Sequence, residues 1–375
     1  MCVSRLRWSI ALFFAACLLT WAPSSARAQT TETIRCAATG DGTPKGLAVV
    51  LPTGGRRDQS LNLQALNNPH MSGVEVQVNW RDVEPVEGRP NWSRLDSLFG
   101  AAEAAKRWVQ LGVFPGFFSP AWALEGVQSD AFAIQYGPDH GTIARLPMPW
   151  DRVYLARWFT FVRQLAQRYG GSPAFRMIQA AGPTSVSSEM TLPSSRAAVQ
   201  KLLGDGYTPA KYLAAWDQTL RVFADAFPKQ CVTLSGPSLP ILAQGRVDRA
   251  EHQRAREEIV DRAMRTLGDR LAIQSSDLHA GHARVEAPDY TDFINGYSGR
   301  VITGFEMRGG STGPGPSEIM GAAGNPPLAL RRSIDKGMAP NAAGQHVDYL
   351  EIYEGDVLSP DMQPVLQYAE SFFRR

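Results

Sequence analysis

The chain has 375 residues, 44% of them hydrophobic, and 38 Lys and Arg against 36 Asp and Glu leave a net charge of +2. That length supports one large core or two smaller ones. A charge so small, without a basic run, argues against nucleic acid and against an anionic membrane surface as partners.

Residues 1–28 read as an export leader. Arg5 and Arg7 form a positive start, Ile10 to Thr20 is apolar, and Ala26-Arg27-Ala28 fits a small-x-small cleavage site. The apolar run is too short for a membrane span. Cleavage would remove Arg5, Arg7 and Arg27 and no acid, taking the net charge from +2 to −1. The mature protein is therefore expected outside the cytoplasm, periplasmic or extracellular, free of the membrane and monomeric. Residues 29–45 are read as an N-terminal extension. Two mature cysteines remain, Cys36 and Cys231. In an oxidising compartment they suggest one disulfide, stapling the extension to the floor of the fold; two buried thiols are the alternative.

From residue 46 onward, short apolar runs alternate with amphipathic stretches. Strands are predicted at 46–51, 74–79, 109–114, 176–181, 231–235, 271–275, 301–305 and 349–353. Each is apolar or β-branched and bounded by Gly, Pro or polar clusters, as buried parallel strands are. Helices are predicted at 92–108, 152–169, 209–227, 247–270, 290–297, 328–338 and 360–373, from apolar residues spaced near 3.6. Thr208-Pro209 and Ser359-Pro360 read as an N-cap followed by an N1 proline. The connection after the first strand shows only a Leu61-Leu63-Leu66 pattern.

Eight strand–helix alternations imply parallel pairing with right-handed crossovers, and eight strands close a barrel. The fold class is α/β, a (β/α)₈ TIM barrel forming a single domain over 46–375. The rival is an open doubly wound sheet, which would carry a phosphate fingerprint at its first turn. Leu51-Pro52-Thr53-Gly54-Gly55 is not one, and no Walker A sequence occurs. No cofactor is expected. His279-x-x-His282 lacks a third ligand at suitable spacing, so no metal is expected either.

Three long loops follow strand ends, at 115–150, 182–208 and 307–327, on the face where barrels keep their chemistry. The last is rich in Gly and Pro and is a candidate lid. Acidic residues at such strand ends are Glu189 after the fourth strand, Glu306 at the end of the seventh, and Glu351, Glu354 and Asp356 at and after the eighth. Two carboxyl groups flanking one bond are what glycoside hydrolysis requires.

Between the second and third strands, Trp80-Arg81-Asp82-Val83-Glu84-Pro85-Val86-Glu87-Gly88 is followed by Trp92-Ser93-Arg94-Leu95-Asp96, and Phe118-Ser119-Pro120-Ala121-Trp122 follows the third strand. These segments resemble the W-x-x-x-E-P-x-x-G…S-x-L-D signature and the P-x-W element of glycoside hydrolase clan A, and in particular its bacterial β-galactosidase-like barrels. The strong likeness covers about 45 residues, and the strand order extends it over the mature chain. It implies a glycosidase acting on carbohydrate, with Glu189 as acid/base and Glu306 as nucleophile. One departure is plain: the Asn that precedes the acid/base in that clan is Ser188 here. A barrel of the same ancestry that binds carbohydrate without cleaving it is the second reading; a hydrolase using the acids of the eighth strand is the third.

Glu84 and Glu87 are read as structural, pinning the turn after the second strand. Arg308, Tyr297 and His279 are the expected donors and substrate contacts around Glu306. Aromatic side chains on strand-end loops pack against sugar rings, and Trp80, Trp122 and Trp150 are the candidates.

Overall fold

The structure is a computed structural model describing residues 44–52, 61–135, 137, 139–241, 249–281, 290–312, 317–318 and 320–374. The leader, Cys36 and His282 lie outside the described residues, as do positions 313–316 and 319 of the Gly- and Pro-rich loop.

Eight parallel strands close a barrel. In chain order they are β1 (Gly46–Pro52), β2 (Met71–Asn79), β3 (Trp108–Phe114), β6 (Phe175–Gln179), β7 (Cys231–Ser235), β8 (Leu271–Leu278), β9 (Ile302–Met307) and β10 (Tyr349–Tyr353), and β10 pairs with β1 to close the ring. The remaining two, β4 (Ser129–Ala133) and β5 (Ile143–Pro147), form an antiparallel hairpin inside the loop after β3. The expected (β/α)₈ barrel is therefore present, with strand boundaries close to those read from the sequence. Elements not foreseen include the hairpin, a helix at Arg196–Gly204 inside the loop after β6, and short helices at Trp80–Val83 and Glu354–Leu358.

Helices wrap the strands. Arg152–Tyr169 runs over the predicted span and buries Tyr154, Leu155, Trp158, Phe159, Phe161, Val162 and Leu165. Thr208 caps the helix Pro209–Ala226 by accepting from the Lys211 backbone N–H, as expected. Ser359 makes no such side-chain bond; a short 3₁₀ turn at Pro360–Met362 leads into the helix Gln363–Glu370 instead.

The barrel interior is layered because alternate residues of a strand point the same way. At the strand starts, Trp108, Met177, Cys231, Ala272, Ile302 and Tyr349 pack into an apolar floor. Two residues further along each strand the interior turns polar, with Glu75, Gln110, Gln179, Thr233, Gln274 and Glu351 all buried. Glycines make space for this layer: a Cβ on Gly304 would fall 2.2 Å from the Tyr349 ring, and one on Gly112 would fall 2.6 Å from the Gln179 amide oxygen. Cys231, in the floor, is disulfide-bonded.

Candidate active site at the strand ends

Glu306 closes the interior of β9 and points inward by the same alternation that buries Gly304 and Ile302. It is only 4% exposed. Two side chains pin its Oε1: the Tyr353 hydroxyl at the end of β10 donates at 2.7 Å, and Gln77 Nε2 on β2 donates at 3.0 Å. Burial raises the proton affinity of this carboxyl, and the hydrogen bonds from Tyr353, Ser276 and Gln77 oppose that rise.

Glu189 is held differently, ten residues beyond the end of β6. Its neighbour Met190 is fully buried and bonds its backbone N–H to the Ser235 carbonyl at the top of β7 at 3.2 Å. Gly236, with φ +53°, leaves the room: a Cβ there would stand 3.3 Å from the Glu189 side chain. The loop is braced from below by the turn after β3, where the Phe117 N–H donates to the Ser185 carbonyl at 3.0 Å. Gly116 permits that approach, since a Cβ there would lie 2.2 Å from the same carbonyl oxygen.

The two carboxyls sense one another. Glu189 is pushed up to about 7, first by burial, then by the charge of Glu306, then by that of Asp277, with the Ser276 backbone N–H opposing. The upward shift of Glu306 comes chiefly from burial, with the hydrogen bonds from Tyr353, Ser276 and Gln77 opposing it. The charge of Glu306 thus favours the protonated form of Glu189. Two carboxyls whose environments separate their proton affinities are what an acid and a nucleophile need.

A third and a fourth acid lie below. One oxygen from each of Glu75, Glu306 and Glu351 falls within 4.8 Å of the others. Burial and the charge of Glu306 push Glu75 up to about 8, and Glu351 is raised well above the ordinary range by burial and by both neighbours. Glu351 therefore faces the barrel interior. The other strand-eight acids do not converge there. Asp356 anchors the start of the Gly- and Pro-rich loop, accepting from the Ser311 and Thr312 backbone N–H groups at 2.7 and 3.1 Å, and Glu354 begins a helix that leads away from β10.

Arg308 and His279 do come together at the rim. Arg308 Nη1 lies 3.3 Å from His279 Nε2, and its Nε lies 3.5 Å from Asp277. Trp122 is half-buried on the loop after β3, its indole N–H donating to the Glu84 carbonyl oxygen at 3.1 Å. Trp150 is also half-buried, edge-on to Tyr207 with ring centroids 5.9 Å apart.

Two expected contacts are corrected. Trp80 is 0% exposed: its ring centroid sits 5.1 Å from Trp158 and 5.4 Å from Trp122, and its indole N–H donates to Glu84 at 2.9 Å. It is the core of the wall on which Trp122 rests, with no surface left for a ligand. Tyr297 ends the helix that precedes β9, at the strand-start side of the barrel, under the Arg300 guanidinium. The hydroxyl that serves Glu306 belongs to Tyr353. Glu84 pins its turn as expected, accepting also from the Gly88 N–H at 2.9 Å.

Solved structures similar to this one include the catalytic domain of beta-amylase from Paenibacillus polymyxa, 12% identical with a TM-score of 0.54 over 89% of this chain and 100% of that one. The chain shares the barrel fold of these structures. The beta-galactosidase from the psychrophilic Marinomonas ef1 follows at 13% identity and a TM-score of 0.50, over 87% of this chain and 59% of that one. An exo-beta-1,4-mannosidase from Opitutaceae bacterium strain TAV5 is 13% identical with a TM-score of 0.50, over 88% of this chain and 60% of that one. The chain thus spans about three-fifths of the latter two. No protein-family model and no curated protein sequence matches it. The likeness to these glycosidase barrels bears out the expectation drawn from the Trp80–Trp122 segment at the level of fold.

Proposed function

We propose that this protein is an exported glycoside hydrolase that cleaves O-glycosidic bonds of an oligo- or polysaccharide with retention of configuration. The observation that carries the reading is the electrostatic coupling at the strand ends, where the charge of Glu306 raises the proton affinity of Glu189. Glu306 attacks the anomeric carbon while Glu189 gives its proton to the departing glycosidic oxygen, so that one C–O bond forms as another breaks. Glu189, now a carboxylate, takes a proton from water; the oxygen of that water attacks the same carbon, and Glu306 leaves as a carboxylate. The carboxyl groups are expected to stand about 5–5.5 Å apart, as retention requires. Trp122, Trp150, His279 and Arg308 are the proposed contacts to the sugar. The disulfide at Cys231 supports an oxidising destination, and Cys36 is its proposed partner.

Assaying wild type, Glu189→Gln and Glu306→Gln against a panel of aryl glycosides and polysaccharides tests this. Wild-type turnover that falls by about 10²–10⁴-fold in Glu189→Gln is expected, with a loss at least as large in Glu306→Gln. The presence of Ser188 where the clan A pattern has Asn favours a second reading, a barrel that binds carbohydrate without cleaving it. Binding without turnover in all three proteins would establish that reading in place of the first.

A further inference from the structure

Glu75 and Glu351 take no part in the steps above, yet both are 0% exposed in the layer beneath Glu306. Amide donors converge on them. Gln77 and Gln179 donate to Glu75 Oε1 at 3.1 and 2.6 Å. Gln110 donates to Glu351 Oε1 at 2.6 Å and Gln274 to Glu351 Oε2 at 2.7 Å. Three of the four oxygens of this pair therefore hold amide protons. The fourth, Glu75 Oε2, is enclosed and receives no amide or hydroxyl proton, and Glu75 is within hydrogen-bonding reach of Glu351.

Among the described residues no cation acts on either carboxyl. The groups that face the pair are Gln110 from β3, Gln179 from β6, Thr233 from β7, Gln274 from β8, Glu306 from β9, and Tyr349 and Tyr353 from β10, with Val50 in register on β1. Two bare carboxylates pressed together in such a low-dielectric layer, beside a third, repel strongly; a proton held between them removes that cost. The amide donors already engage the other three oxygens, so Glu75 Oε2 is the atom left without a donor.

We infer that Glu75 and Glu351 form a proton-bridged carboxyl pair that positions the nucleophile Glu306 through the shared amide of Gln77. The inference rests on the proposed role of Glu306. Gln77 Nε2 donates to both Glu75 and Glu306, so whatever fixes Glu75 fixes Gln77, and Gln77 fixes one oxygen of the nucleophile. The bridging proton also keeps a second full charge from forming beside Glu306 near neutral pH. The upward shift of both groups agrees with a proton retained there.

The test has two readouts. Carboxyl-carbon NMR titration of the intact protein, with Glu75→Gln and Glu351→Gln used to assign the resonances, is expected to show the pair still sharing one proton where Glu189 has begun to ionise. Titration of both in the ordinary carboxylate range would overturn the bridging proton. Kinetically, Glu75→Gln and Glu351→Gln are expected to lower kcat by about 10–100-fold with KM within about twofold. Melting temperatures near wild type would separate this from a folding defect. Unchanged kcat in both folded variants would overturn the positioning role. The titration needs no substrate. An inactive wild type with a protonated pair therefore refutes the glycosidase reading and not the pair, whereas an active enzyme whose Glu75 and Glu351 titrate normally refutes the pair alone.

Discussion

Glu306 lies near enough to Glu189 for its charge to be felt there, but the protein holds the two by different means. Glu306 is a strand residue. Its direction follows from the alternation of β9, and its oxygen is clamped by Tyr353 and Gln77. Glu189 is a loop residue. Its position depends on the buried Met190 next to it, a backbone bond to Ser235 and the open space at Gly236. A strand residue takes its orientation from the sheet; a loop residue needs an anchor of its own. The contrast suits the proposed roles, because the nucleophile must stay in place and ionised while the acid must gain and lose a proton.

The contrast would be broken most severely at the anchor of Glu189. Met190→Ala leaves a cavity in the wall under the loop and is expected to cost about 2–5 kcal/mol of stability, read by denaturant unfolding. If the loop is the weaker support, activity on a glycoside should fall by more than the folded fraction does. Gly236→Ala comes next. It adds a Cβ against Glu189 at a positive φ, with a stability loss of about 1–2 kcal/mol and a kcat loss at nearly unchanged KM. Proportional loss of kcat and folded protein in both variants would show that the anchors serve stability alone.

The strand side is probed by Tyr353→Phe. It removes a hydrogen bond to a carboxylate, worth about 1.5–3 kcal/mol. That bond opposes the upward shift of Glu306, so its loss raises the proton affinity of Glu306, and the acidic limb of kcat/KM should move to higher pH. An unmoved acidic limb would mean that Glu306 is not the group titrating there.

The smallest effect is expected from Asp277→Asn. Asp277 is an exposed residue whose charge raises Glu189. A raised acid is protonated and active below its folded pKa and loses function as pH climbs through it. Wild-type activity should therefore decline above about 7, and Asp277→Asn should shift that alkaline limb slightly toward lower pH. A shift toward higher pH would contradict the assignment of Glu189 as the acid.

The sequence determined the eight parallel strands, their order and most of their limits. Strands buried under helices are short apolar runs, and that pattern survives without knowledge of contacts. It also pointed to Glu306, which sits in the last turn of such a run. A signal in the same runs passed unread: polar residues recur at every second position in Val74-Glu75-Val76-Gln77-Val78-Asn79, and single ones sit inside Trp108-Val109-Gln110 and Tyr349-Leu350-Glu351. That period of two marks a polar interior face, and it could have located Glu75, Gln77 and Gln110. Only the tertiary structure decided which aromatic residues meet the opening. Trp80 and Trp122 read alike on loops near strand ends, yet one is buried in the wall and the other lies at the rim. Likewise the tyrosine expected as a donor from the chain, Tyr297, stands at the foot of β9, whereas Tyr353 reaches Glu306. The physical reason is that burial pattern is a local property of the chain, whereas the partner of a side chain at a strand end is set by the register of the neighbouring strand and by loops that arrive from distant segments.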